Sequence, residues 1–91
     1  MFILPTELTI ANVDEYQSLF LEFVASHNDI TLDTSRVSLI DTVGIQLLLT
    51  MVSHVVTQKK TLIWQNQSSI IEQSIRALGI DEPILAPYFN S

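Results

Sequence analysis

The stretch Ser38-Leu39-Ile40-Asp41-Thr42-Val43-Gly44-Ile45-Gln46-Leu47-Leu48-Leu49 constrains this chain more than any other. A short apolar strand runs directly into an apolar helix, with a carboxylate, a hydroxyl and a glycine packed into the joint. From Asp41 to about Gln58 the residues Gln46, Thr50, Ser53, His54 and Thr57 fall on one helical stripe, and nearly everything between them is apolar. A helix that is hydrophobic over most of its circumference is mostly buried, so this is the central helix. Thr61-Leu62-Ile63-Trp64-Gln65, β-branched and aromatic, reads as the next strand. Strand, helix, strand gives one βαβ unit with a right-handed crossover. The expected class is α/β.

The remaining segments are placed around that unit. Phe2, Leu4, Leu8 and Ile10 are the apolar points of the first ten residues, and Pro5 divides them into two short strand pieces or a kinked edge strand. Asn12-Val13-Asp14-Glu15 fits a helix start, with Asn12 as N-cap, Glu15 reaching back to the cap amide and two acids in the positive first turn. The helix is expected to run to about Ser26, with Val13, Tyr16, Phe20, Phe23 and Val24 as its apolar face, widened by Leu19 and Leu21. His27, in a turn cluster with Asn28 and Asp29, reads as a cation-capable residue near a helix C-terminus.

Ile30-Thr31-Leu32-Asp33 and Val37 to Ile40 are two further strand-like runs, separated by Thr34-Ser35-Arg36. Three linking residues are too few for a crossover between parallel neighbours. Either the runs form one long bent strand, or they are an adjacent pair with poor turn chemistry. Lys59 and Lys60 are expected to close the central helix against the negative end of its dipole. Ser69-Ile70-Ile71-Glu72 reads as a second capping box, opening a helix whose Ile71, Ile75 and Leu78 face the core. Gly79 suits a left-handed C-terminal position, and Ile80 to Ser91 is expected as a surface strand or turn.

Composition narrows the function. At 91 residues the chain is read as one domain, 1–91, and a hydrophobic fraction of 47% against 15% charged argues for a packed core. There is no cysteine, which excludes disulfides and thiolate metal sites. Arg36, Lys59, Lys60 and Arg76 are its cations, and a formal charge of −6 leaves no basic stripe for a phosphate backbone, so nucleic acid is not an expected partner. The same balance disfavours anionic membranes and suits a basic or mixed protein surface. No apolar run reaches the roughly 20 residues of a membrane span, no export signal is read, and the cytoplasm is the expected compartment. No cofactor or metal is expected, because no second histidine stands at metal spacing from His27 and His54 has no recognisable nucleophile to serve.

The joint is the one place with evident chemistry. Asp41 or Thr42 should cap the central helix, whose first amides lack intrahelical acceptors. Gly44 allows the close approach of another backbone or of a partner. An ordinary cap, with the glycine packed on a neighbouring strand, accounts for all three residues. The functional alternative is an exposed Thr42 at the positive helix end, where a phosphoryl group is electrostatically tolerated.

These residues resemble a known family. Leu4-Pro5-Thr6-Glu7-Leu8-Thr9-Ile10, the first helix, Ile30-Thr31-Leu32-Asp33-Thr34-Ser35, Ile40 through Leu48, and Leu78-Gly79-Ile80 are similar to STAS domains. The specific part is the signature Asp-Ser/Thr-x-Gly-hydrophobic-x-x-Leu, here Asp41-Thr42-Val43-Gly44-Ile45-Gln46-Leu47-Leu48. STAS domains include bacterial anti-sigma-factor antagonists, chemotaxis-associated proteins and the small subunit of a lipid-trafficking ABC transporter.

The resemblance implies a small mixed β-sheet packed with α-helices. It implies no enzymatic activity, and binding of a protein partner such as an anti-sigma factor with serine kinase activity, a chemotaxis protein or an ABC ATPase. The implied partner surface is Asp41, Thr42, Val43 and Gly44 with the polar stripe Gln46, Thr50, Ser53 and His54, for which plain solvation is the competing reading. In the antagonists the phosphorylated serine commonly precedes the glycine. Val43 stands there and accepts no phosphate, so the candidate phospho-acceptor is Thr42, one place earlier. A phosphoaspartate receiver built on Asp33 and Asp41 is a weaker third reading, because a receiver needs more βα units than this length holds and a clustered acidic metal site.

Overall fold

Pro5 splits the first pass of the chain into β1 (Phe2–Ile3) and β2 (Glu7–Leu8), as the missing amide of proline requires. The computed structural model describes residues 1–77 and Gly79. After β2 come α1 (Val13–Ser26), β3 (Asp29–Asp33), β4 (Leu39–Ile40), α2 (Thr42–Thr57), β5 (Thr61–Gln65) and α3 (Ser69–Ala77). Leu78 and the segment 80–91, expected as a core contact and a surface tail, lie outside the described residues.

The pairings resolve the two runs that the turn argument left open. β1 lies parallel to β3, with Phe2 opposite Leu32, and β2 lies parallel to β4, with Glu7 opposite Leu39. Leu4 donates to the Asp33 carbonyl (3.0 Å), and Ser38 and Leu39 donate to that of Thr6 (2.8 and 3.1 Å). Thus β3 and β4 do not pair with each other: they are successive stretches of one pass, separated by a turn closed by Val37 N–H on the Thr34 carbonyl (3.1 Å), and each belongs to its own sheet, so neither alternative holds in full. β5 pairs parallel with β3 on its other side, Asp29–Asp33 against Thr61–Gln65. Every pairing among the described residues is parallel, although a mixed sheet was the expectation. The α/β class stands, since α1 and α2 each supply a crossover long enough for parallel neighbours.

The core lies between the three-stranded sheet β1-β3-β5, the two-stranded sheet β2-β4 and the helices. Leu4, Leu8, Ile30 and Leu32 from the strands meet Phe20 and Val24 of α1, Leu48, Met51, Val52 and Val55 of α2, and Ile71 of α3, all essentially sealed from solvent. Phe2 sets its ring edge-on to Phe20 and Phe23, at 5.1 and 5.6 Å between centroids. The apolar face of α1 is as expected from its spacing, but it is narrower: Leu19 and Leu21 are exposed because they sit about 100° off the stripe. Ile10 is exposed as well, in the turn before α1.

Several termini are held by other groups than local sequence indicates. Asn12 precedes α1 but makes no side-chain cap; its Oδ1 accepts from Thr9 N–H (3.0 Å) and its Nδ2 donates to the Glu7 carbonyl (2.7 Å). The turn leaving β2 therefore takes the group that the cap would have used. Ser68, not Ser69, precedes α3: its Oγ accepts from Ile70 N–H (3.3 Å) and donates to the Val37 carbonyl (2.6 Å). Glu72 pairs with Arg76 at 2.7 Å instead of reaching back. Lys60 donates to the Val24 carbonyl near the end of α1, so its charge serves that helix and not α2. His27 lies at the end of α1 as expected, with Nδ1 2.8 Å from the Phe23 carbonyl. Gly79 has φ +69°, the left-handed position expected of it. No helix among the described residues is long and apolar enough to cross a membrane.

Candidate functional site

Where β4 gives way to α2, the chain turns within one residue, and Asp41 manages the turn. One carboxylate oxygen accepts from Gly44 N–H (2.8 Å), capping α2, and the other accepts from Ile10 N–H (3.0 Å) in the turn before α1. The Asp41 N–H itself reaches the Leu8 carbonyl (3.4 Å). One side chain thus ties the mouth of α2 to the loop between β2 and α1. The Ile10 and Gly44 amides stabilise the anion and hold the Asp41 carboxyl below the usual carboxylate range.

Gly44 is buried for a reason of the same kind. A Cβ there would stand 2.8 Å from Ile40 Cγ1 and 3.1 Å from the Leu8 carbonyl carbon, with the Leu8 oxygen closer still. The first turn of α2 therefore rests on the backbone of β2, which only glycine permits. Gly44 shapes the joint and presents no side chain at its surface.

Thr42 and Val43, between these two anchors, are exposed. They look into different grooves. Thr42 joins Ile40, Asp41, Ser74 and Ala77 in a groove of about 270 Å³ between the mouth of α2 and α3. Val43 joins Val13, Asp14, Gln17, Gln46, Leu47 and Thr50 in one of about 210 Å³ between α1 and α2. The polar stripe is consequently divided. Gln46 and Thr50 share the Val43 groove, and Thr50 Oγ1 donates to the Gln46 carbonyl (3.0 Å). Ser53, exposed, and His54, half-buried, lie about 16–18 Å along the axis from Thr42 and line neither groove.

The second acidic candidate is spent on structure. Asp33, buried at the end of β3, accepts from Ser35 N–H (2.8 Å) and Asn66 Nδ2 (3.0 Å). Those bonds, led by the Ser35 amide, hold its carboxyl low against the opposing effect of burial. Among the described residues no group of three or more His, Asp or Glu is placed to hold a metal ion. Both carboxylates are thus held by amide donors, and neither stands in an acidic cluster of the receiver kind among the described residues.

A strand passing into a buried helix through Asp-Thr-x-Gly, on a short parallel sheet, is the arrangement to set beside known proteins. The family model described as "Mlab, STAS domain" matches residues 3–87. The chain belongs to the STAS domain family. STAS domains mediate protein–protein interactions and are generally non-enzymatic binding modules. Comparison with curated proteins returns no match. Of the surface expected for this STAS domain, Asp41 and Thr42 line one groove and Val43, Gln46 and Thr50 the other; Val13, Asp14 and Gln17, which form the opposite wall of the Val43 groove, were not part of that expectation. No local signal marks those three as neighbours of α2.

Proposed function

We propose that this STAS domain is a non-enzymatic regulatory module of bacterial signal transduction, working in the cytoplasm on an anti-sigma-factor or chemotaxis pathway and binding a protein partner at the mouth of α2. The supporting observation is the exposed pair Thr42 and Val43, standing between two grooves on a joint that Asp41 and Gly44 make rigid. Preorganised surface costs little ordering on association.

Thr42 is the proposed phospho-acceptor. A phosphoryl group at the first position of α2 gains about 0.3–1 kcal/mol from the helix dipole and is opposed by the neighbouring Asp41 carboxylate, so the fold barely responds. A partner seated over Thr42 responds strongly, because burying an unpaired charge costs several kcal/mol. Thr42 opens on the α3 side of the mouth and Val43 on the α1 side, so such a switch acts on only part of the contact surface.

A second reading has its own support. Val43 stands where the antagonists carry serine, and the matching family model is the one described as Mlab. On this reading the chain steadies the ATPase of a lipid-trafficking ABC transporter. Tagged chain expressed in its source cell separates the two: a stoichiometric ATPase on co-purification selects transport, and an anti-sigma kinase or chemotaxis protein selects signalling. With the recovered partner, Thr42→Glu is expected to leave the melting temperature unchanged and to weaken binding at least tenfold in calorimetry. Wild-type affinity for both Thr42→Glu and Val43→Arg would remove the mouth of α2 from the interface.

A further inference from the structure

Six of the ten carboxylates of this STAS domain fall into two contrasting groups. Asp33, Asp41 and Glu72 are engaged, by amide donors or by Arg76. Asp14, Glu15 and Glu22 of α1 make no ion pair or side-chain hydrogen bond among the described residues. α1 carries no Lys or Arg, and α2 carries no Asp, Glu, Lys or Arg along its whole length. The groove between them therefore has one uncharged wall, Val43, Gln46, Leu47 and Thr50, in which Val43 is the exposed apolar side chain, and one wall that ends in the exposed Asp14. Its volume of about 210 Å³ equals that of about seven water molecules. That is room for one long side chain with its flank, not for a small-molecule ligand that must be enclosed.

We infer that this groove gives the partner surface its charge selectivity: it takes a protein helix that packs an aliphatic side chain on the exposed Val43 and sets an arginine or lysine against Asp14, with Glu15 adding to the field. The inference rests on the proposed binding at the mouth of α2 and specifies its partner's chemistry. Two features favour a basic partner over an acidic or neutral one. The groove has no cation among its lining residues, so an acidic segment would meet Asp14 without compensation. The net charge of −6 also attracts a basic surface from a distance and repels an acidic one.

The test is a nitrogen-15 NMR titration of the whole chain with two synthetic amphipathic helical peptides of identical leucine content, one flanked by arginine and one by glutamate. The expected result is selective shifting of the Gln17, Val43, Gln46 and Thr50 amides by the arginine peptide, weakened by raising salt from 50 to about 300 mM as screening requires. Asp14→Asn with Glu15→Gln should weaken that peptide roughly tenfold, with the melting temperature lowered by about 2–8 °C through the lost charge–dipole interaction and the rest of the amide spectrum unchanged. Glu22→Gln with Asp29→Asn, equal in net charge and away from the groove, should leave its affinity unchanged.

Equal response to both peptides, equal loss in both variants, or shifts centred on Phe2 and Leu19 at the sheet edge would overturn the inference. With the natural partner, binding that is lost in Val43→Arg and kept in Asp14→Asn/Glu15→Gln would leave the proposed function intact and refute the charge selectivity alone.

Discussion

Replacing Gly44 by alanine separates local helix chemistry from tertiary packing by the sign of its effect. Within a helix, alanine is favoured over glycine by about 1 kcal/mol, so an exposed glycine at this position would gain stability on replacement. Here the added methyl would stand 2.8 Å from Ile40 Cγ1, where carbon atoms prefer about 3.5–4.0 Å, and closer still to the Leu8 carbonyl oxygen. Ile40 is half-buried and its side chain can turn aside. Leu8 cannot, because the obstructing atom is backbone and is tied to Asp41 N–H.

Relief of that clash therefore requires the mouth of α2 to lift by about 1 Å, stretching the Asp41–Ile10 bond. Overpacking of this kind costs about 1–3 kcal/mol. With the upper part of that range for a backbone obstacle, and the helix gain subtracted, the net loss is about 2 kcal/mol. For a domain of this size that lowers the melting temperature by about 8–16 °C and the urea midpoint by about 1–2 M. Trp64, the single tryptophan and buried at 9% exposure, reports the transition by fluorescence. Gln46→Ala, on the exposed face of the same helix, should stay within about 0.5 kcal/mol. A Gly44→Ala midpoint equal to or above wild type would refute the packing account of the joint.

Three further outcomes follow from the same contacts. Thr34, fully buried, accepts from Trp64 Nε1 (2.9 Å) and, in a part-buried bond, from Ser68 N–H (3.4 Å), so Thr34→Val removes the acceptor of the buried indole bond and should cost about 1–3 kcal/mol in urea unfolding, with a changed near-ultraviolet tryptophan band. Leu48→Ala, at a site with no exposure, should cost about 2–5 kcal/mol, a large share of the whole stability, readable by calorimetry. Asp33 and Asp41 have lowered folded-state pKa values, so their contribution is complete above the unfolded carboxylate pKa of about 4 and is lost as pH falls through the lowered values. An acid titration should show stability falling below about pH 4, and Asp41→Asn, which can still cap α2, should flatten that fall.

The sequence by itself determined the elements whose cause is local or periodic. Pro5 broke the first strand because it has no amide, the three- and four-residue spacing of Val13, Tyr16, Phe20 and Val24 made α1, and Asp41 with its helical neighbours marked the start of α2. Asp41-Thr42-Val43-Gly44 also carried the family, since its spacing binds a cap, an exposed pair and a glycine into one motif. Decisions that depend on distant partners could not be read in this way. Asn12 and Ser69 looked like caps, yet the β2 turn claimed the first, and Ser68, held to Val37, displaced the second. The Leu8 carbonyl under Gly44, the Ile10 amide on Asp41, and the Asp14 wall facing Val43 all join residues about 30 or more positions apart. Those contacts exist only because the first two passes of the chain run parallel and bring α1 beside α2. Side-chain periodicity records which face of an element is buried, but not which element covers it, and the geometry of the site belongs to that second question.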